Sequence, residues 1–147
     1  MPHNHEWQSR IKRVERVYVA MRQAADRFRE IALSDPTILR ENLRHGEIVV
    51  ASQNLEGTYV MRLFAEFETG TRQYWDATWV SYSRTIDLLN GLAARCGIPD
   101  EQRENAHLVR DYRNSLVHER EEKTEVISIA DARHYLCHFF SFLPPLW

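Results

Sequence analysis

Apolar residues recur at steps of three and four along most of this chain, which is the spacing of one face of an α-helix. The first stripe predicts a long amphipathic helix over residues 6–33, ended by Pro36. A second stripe, which includes Tyr59 and Phe67, predicts a helix that continues to about Gln73. The first half of the chain is therefore predicted to be two long helices.

The segments around the second helix have a less regular pattern. A short helical turn is predicted for residues 37–45. Residues 47–54 read as a strand or as the start of the second helix, and we favour the helix because the pattern that follows is strongly helical. The aromatic stretch 74–83 is interpreted as a packed loop or an irregular helix end.

Three further helices are predicted in the second half of the chain, over residues 84–95, 101–119 and 128–142. Gly97 is placed to end the first of these, Asp100 to cap the second, and Ser128 with Asp131 to form a capping box on the third. The fold is therefore predicted to be all-α, a bundle of about five helices that forms a single domain over residues 1–147.

Length and composition fit one ordered domain: the chain has 147 residues, of which 44% are hydrophobic. No stretch has the apolar length of a membrane span, and the start of the chain lacks the apolar core of a signal peptide. Cys96 and Cys137 are too few for a disulfide framework and fit a reducing compartment. We expect a soluble cytoplasmic protein that does not contact a membrane.

The charge balance limits how the chain can bind nucleic acid. The net charge of −2 argues against a protein that coats nucleic acid by bulk electrostatics, so any contact with RNA must be local. Residues 1–45 carry nine Lys and Arg against six Asp and Glu, an excess of three positive charges. The first helix can thus help to hold a phosphate backbone, or it can be a solvated face of salt bridges.

The hexapeptide RNSLVH, residues 113–118, holds the strongest candidate chemistry. RNA carries its own nucleophile, the 2′-hydroxyl, so cleavage needs a base to accept that proton and a cation to stabilise the phosphorane. His118 suits the first task and Arg113 the second, and neither needs a metal ion. Positions five apart differ by roughly 140° around a helix, so the two side chains diverge. Asn114 lies beneath His118 and is a third candidate site residue, which can orient His118 or contact the ligand.

The helix that carries this hexapeptide divides into two sides. The predicted packing side holds Leu108, Val109, Tyr112 and Leu116, and the opposite polar side holds His107, Arg110, Asn114, Val117 and His118. Arg110 is thus a candidate supporting residue, and Glu66 of the second helix is another, as an orienting partner. If Arg113 instead pairs with a carboxylate such as Glu66 and His118 only caps the helix end, the protein is catalytically silent.

The segment RDYRNSLVHER resembles the signature of the HEPN superfamily, in which an Arg and a His flank about four residues on a late helix of a small bundle. Residues 54–75, 88–99 and 127–147 are similar to the RiboL-PSP-HEPN group. The resemblance implies a metal-independent endoribonuclease without cofactors, with a composite site in a homodimer. It also implies a toxin or phage-defence setting with an antitoxin or defence-system partner protein. Arg120 stands where some HEPN toxins carry a modified Tyr, so that mode of neutralisation is not implied.

Two other functions remain open from the sequence. HEPN relatives include non-catalytic domains, so the chain can be a helical dimerisation or nucleotide-binding module. His134, Cys137 and His138 share one helix face at spacings compatible with zinc ligands, with Cys96 as a candidate fourth ligand. Their aromatic neighbours favour core packing instead, and we predict no metal and no cofactor.

Overall fold

A computed structural model of the chain describes residues 3–40, 42–79, 84–118 and 124–147. In these ranges the helices are α1 (Asn4–Ser34), α2 (His45–Thr78), α3 (Thr85–Cys96), α4 (Asp100–His118) and α5 (Ile129–Ser141), with a short 3-10 turn, Pro36–Ile38, between α1 and α2. The prediction of an all-α bundle of about five helices is confirmed. The hexapeptide 113–118 forms the end of the penultimate helix.

The second helix is longer than its apolar stripe predicted. Residues 47–54 are helical, so the alternative of a strand is wrong. Residues 74–78 are also regular helix, which corrects the interpretation of a loop or irregular end, whereas residues 80–83 lie outside the described ranges. The extension is stabilised by packing, since Trp75 is buried and its ring centroid lies 4.7 Å from that of Trp79.

The predicted helix ends are mostly confirmed. Gly97 follows α3 with a φ of 65°, the left-handed conformation that glycine adopts without strain. The hydroxyl of Ser128 accepts a hydrogen bond from the backbone N–H of Asp131 and so caps α5. Asp100 is the first residue of α4 rather than its cap, and it forms an ion pair with Arg103 at 3.2 Å.

The core is centred on α2, whose aromatic side chains contact α5 and α1. The ring of Phe67 is fully buried and lies 5.5 Å from Phe139 and 5.7 Å from Phe64, measured between centroids. Gly70 lets α1 approach closely, because a Cβ atom there would lie only 2.8 Å from the indole of Trp7. Through these contacts α1, α2 and α5 pack together, with the aromatic cluster between them.

The apolar stripe of α1 is covered only in its first half. Trp7, Ile11 and Val14 are buried, whereas Met21 and Phe28 are 45% and 39% exposed. None of the helices in the described ranges combines the length and apolar character needed to cross a membrane.

Candidate functional site on the fourth helix

Helix α4 packs through most of the predicted side, since Val109, Tyr112 and Leu116 contact the bundle, but the packing side is shifted toward Ala106 and Arg113. Ala106 and Val109 are fully buried, but Leu108 is 38% exposed and does not belong to the packing side. Arg113 follows Val109 by one turn and therefore points toward the bundle. Near the C-terminal end of the helix, Leu116 lies against α2 at Gly57, where an added Cβ atom would be 3.3 Å from the Leu116 methyl groups.

The guanidinium of Arg113 is held by two neighbours. Its central carbon lies 5.7 Å from the centroid of the Phe64 ring, within the range of a cation–π contact. Its Nη1 donates a hydrogen bond of 2.9 Å to Oδ1 of Asn114. Asn114 thus contacts the arginine in this structure, and the remaining N–H groups of Arg113 have no hydrogen-bond acceptor among the described residues.

A carboxylate that the sequence did not single out, Glu68, lies near Arg113. Burial alone would raise the pKa of Glu68, but hydrogen bonds from Thr85 and Arg72 and the charges of Arg72 and Arg113 hold that pKa below its ordinary value. The Arg72 hydrogen bond measures 2.9 Å, and the Thr85 hydroxyl binds the same carboxylate oxygen. Glu68 therefore stays ionised at neutral pH, and its negative charge lies near the guanidinium of Arg113.

Glu66, the supporting carboxylate predicted from the sequence, faces a different helix. Its Oε2 lies 3.9 Å from Nη1 of Arg10 on α1. Residues two apart diverge by roughly 200° around a helix, so Glu66 points away when Phe64 faces Arg113. Glu68, four residues after Phe64, shares the Phe64 side, and that spacing is the signal that could have identified it.

His118 is the last residue of α4, and its side chain is exposed. Its imidazole forms no hydrogen bond or ion pair with any residue in the described part of the chain, including the carbonyl groups at the helix end. The predicted divergence from Arg113 is present, because Arg113 is partly buried against α2 while His118 faces solvent. One chain alone does not bring the two side chains into a compact pair.

Arg110, the second predicted supporting residue, belongs to a different network. Its Nη2 donates to Asp111 at 2.6 Å, and its Nη1 lies 2.9 Å from Nδ1 of His107. Because a guanidinium only donates, Nδ1 of His107 accepts, and the Nε2–H of His107 then donates to Oδ1 of Asn90 on α3 at 2.8 Å. Arg110 thus supports the His107 hydrogen bond that joins α4 to α3, and its guanidinium is already bound on two sides.

The His107 network predicts a pH dependence of stability. Burial, and then the charge of Arg110, lower the pKa of His107 from its ordinary value of 6.5. Between the folded and unfolded pKa values the unfolded chain binds more protons, so stability is complete above about pH 6.5 and is lost as the pH falls below it. We expect urea denaturation to show a lower free energy of unfolding at pH 5 than at pH 7.

The control for this experiment is a second histidine. His107→Gln should flatten the dependence between pH 5 and 7, whereas His5→Gln, on an exposed side chain, should leave it unchanged. An equal slope in the wild type and in His107→Gln would contradict the assignment.

The zinc alternative lacks a suitable set of side chains. His134 and His138 are exposed, with ring centroids 6.0 Å apart, but Cys137 lies in the hydrophobic core, where burial raises the pKa of its thiol. The Sγ of Cys96 contacts the Tyr74 hydroxyl at 3.7 Å. Across the ranges that the structure describes, no group of three or more His, Cys, Asp or Glu side chains could hold a metal ion.

Comparison with protein-family models, with curated proteins and with solved structures found no match to this chain. The all-helical bundle and the place of RNSLVH at the end of α4 are features of the structure. Membership of the HEPN superfamily remains a prediction from the residues that resemble its signature.

Proposed function

We propose that this chain is a metal-independent endoribonuclease of the HEPN type, which cleaves RNA by 2′-hydroxyl attack at a composite site in a homodimer. The observation that supports the proposal is the contrast between two side chains of one helix end. Arg113 packs against Phe64 and keeps N–H groups without an acceptor in the described ranges, and His118 is exposed, with no hydrogen-bond partner for its imidazole in those ranges. Their separation around the helix favours a site that two chains complete together.

Each side chain has a distinct role in the proposed reaction. His118 accepts the proton of the 2′-hydroxyl as the oxygen attacks the adjacent phosphorus. The bond to the 5′-oxygen breaks, that oxygen takes a proton from solvent water to leave as a hydroxyl, and a 2′,3′-cyclic phosphate remains. Arg113 donates hydrogen bonds to the phosphorane oxygens, where negative charge develops. Asn114 is a positioning residue, because it accepts a hydrogen bond from one edge of the guanidinium, and the other edges have no acceptor among the residues that the structure describes.

The direct test is cleavage by the wild-type protein. Purified protein should cut single-stranded RNA in the presence of EDTA and yield a 2′,3′-cyclic phosphate or its opened product. DNA of the same sequence should remain intact because it lacks the attacking hydroxyl. RNA that also remains intact, across many sequences and with a folded dimeric protein, would contradict the proposal.

The proposal also predicts a C2 dimer whose interface includes α4, since this pairing puts two copies of Arg113 and His118 in one groove. Val117, 48% exposed and next to His118, lies at that predicted interface. Light scattering should show a wild-type dimer, and Val117→Asp should shift it toward monomer because it places a charge in the contact.

Val19→Asp is the matched control, because Val19 is 57% exposed on α1, away from the motif. It should leave the dimer intact. If the dimer persists in Val117→Asp and dissociates in Val19→Asp, the interface lies on α1 instead. A monomeric wild type would contradict the composite site.

A second function has one specific observation in its favour. The contact of Arg113 with Phe64 and its proximity to Glu68 are also what a packing arginine would show. In that case the chain is a non-catalytic helical dimerisation or nucleotide-binding module. The toxin or phage-defence setting, and an antitoxin or defence-system partner, rest on the HEPN resemblance alone.

A further inference from the structure

A basic cleft lies between α1 and α2, on the side of α2 that faces away from the Phe64 contact with Arg113. The cleft has a volume of about 390 Å³. The residues that line it are Arg10, Arg13, Val14 and Val17 of α1 and Arg62 and Glu66 of α2. Three cations, one carboxylate and two valines thus line the cleft, in a chain whose net charge is −2.

The arginines of this basic cleft are largely unneutralised. Neither Arg13 nor Arg62 forms an ion pair with any residue in the described ranges, and the guanidinium of Arg62 lies 5.6 Å from the centroid of the Tyr59 ring. Arg10 lies 3.9 Å from Glu66, but both side chains are well exposed, so this pair is weak. The cleft therefore keeps an uncompensated positive charge that an anion can neutralise.

The cleft is also partly preorganised. The guanidinium of Arg10 lies 4.4 Å from the centre of the Trp7 ring, and that of Arg62 lies over Tyr59. An arginine above an aromatic ring still has N–H groups around the edge of its plane, and these match phosphate oxygens. Arg10 and Arg13 are three residues apart, so they are neighbours on the helix surface.

The two valines of the cleft favour some anions over others. Val14 and Val17 line the cleft, and their side chains offer no hydrogen bonds. A ligand that fills this space needs an apolar part beside its negative charges, which an inorganic anion lacks and a nucleotide unit, with its sugar and base, has. More than one arginine can then bind successive phosphates of one strand.

We propose that the basic cleft binds the phosphodiester backbone of single-stranded RNA, with Arg13 and Arg62 as phosphate ligands and Glu66 as an internal competitor. The choice of RNA rests on the proposed nuclease function, whereas the binding chemistry rests on the cleft itself. The cleft is separate from Arg113 and His118, so it holds a flanking part of the strand.

Binding is measured separately from cleavage. Fluorescence anisotropy with a labelled 12-nucleotide RNA is recorded on a His118→Ala background in EDTA, so that the strand stays intact. Arg13→Gln and Arg62→Gln should each raise Kd about five- to tenfold. Each should also lower the slope of log affinity against log salt by about 0.7, the value expected for one phosphate contact to a single strand.

Two further variants make the test specific. Glu66→Gln should lower Kd about two- to fivefold, because it removes the carboxylate that competes for Arg10. Arg29→Gln removes the same charge from an exposed position of α1 outside the cleft and should leave Kd within about twofold of the parent. Thermal melting confirms that all four variants stay folded.

Competitors identify the ligand. Unlabelled DNA of the same length should compete within a few-fold of RNA, because the backbone phosphates are shared. Equal competition by inorganic phosphate, a mononucleotide or a polyglutamate peptide would overturn the proposal, as would no RNA binding or an Arg29→Gln effect equal to that of Arg13→Gln. If the wild type binds RNA but does not cleave it, only the nuclease function is overturned. If the wild type cleaves RNA but Arg13→Gln and Arg62→Gln bind it as tightly as the parent, only the proposal for the basic cleft is overturned.

Discussion

His118→Ala is expected to slow RNA cleavage by about 100-fold or more while the protein remains folded. The expected loss is large because the imidazole is the proposed acceptor of the 2′-hydroxyl proton, and alanine has no group to replace it. The fold should tolerate the change because His118 is exposed and has no polar partner among the residues described. Single-turnover rates on a defined RNA, together with thermal melting, measure both effects.

His134→Ala is the matched control for this variant, since His134 is an exposed histidine on α5 outside the motif. It should cleave RNA at the wild-type rate. Equal rates for the wild type and for His118→Ala would remove His118 from the mechanism and favour the dimerisation or nucleotide-binding module.

Arg113→Ala should reduce the rate to a similar degree, through lost transition-state stabilisation of about 3 kcal/mol. This variant also removes a guanidinium that contacts Phe64, so its stability has to be measured alongside its rate. Arg113→Lys separates the two contributions of charge and geometry. Lysine keeps the positive charge but loses the planar set of donors, so it should recover only part of the activity.

Mixing the two inactive variants tests whether the site is composite. If each site takes Arg113 from one chain and His118 from its partner, a heterodimer of Arg113→Ala and His118→Ala has one site with both side chains and one with neither. Co-refolded mixtures should therefore regain cleavage that neither variant shows alone. A mixture that stays as inactive as its components would contradict a site shared in this way.

The fold could be predicted from the sequence because its main determinants are local or periodic. The spacing of apolar residues defines α1 and α2, and Gly97 and Ser128 mark helix ends through backbone chemistry that acts over a few residues. The extension of α2 to Thr78 could not be predicted this way. It depends on the burial of Tyr74 and Trp75 and on the contact of Tyr74 with Trp147, which is distant in sequence and comes close only when the chain folds.

The candidate site was less predictable because α4 has few apolar residues to define its packing side. Arg113 points toward the bundle, since its long apolar stem and its flat guanidinium can cover the Phe64 ring, whereas Leu108 is partly exposed. Because arginine is counted as polar when a packing side is predicted from apolar residues, the predicted packing side of α4 is rotated by a fraction of a turn from the observed one. Glu68, and not Glu66, lies near Arg113 because it shares the Phe64 side of α2.

Phe67→Ala is expected to lower the free energy of unfolding by about 3 to 5 kcal/mol, the usual cost of removing a fully buried aromatic ring. Phe67 is 0% exposed, and its ring contacts Phe64, Phe139 and Phe140. Truncation therefore leaves a cavity that neighbours on two helices must line. Urea denaturation of the wild type and the variant at neutral pH measures the loss.

Phe64→Ala should cost about as much, and it should act on the site as well, because its ring supports the guanidinium of Arg113. Cleavage measured well below both melting temperatures should thus fall in Phe64→Ala but not in Phe67→Ala. Phe28→Ala, at a ring that is 39% exposed on α1, is the control and should cost about 1 kcal/mol or less. A loss well under 1 kcal/mol at both Phe64 and Phe67 would mean that α2 does not pack through this face, and the position assigned to Arg113 against it would fail as well.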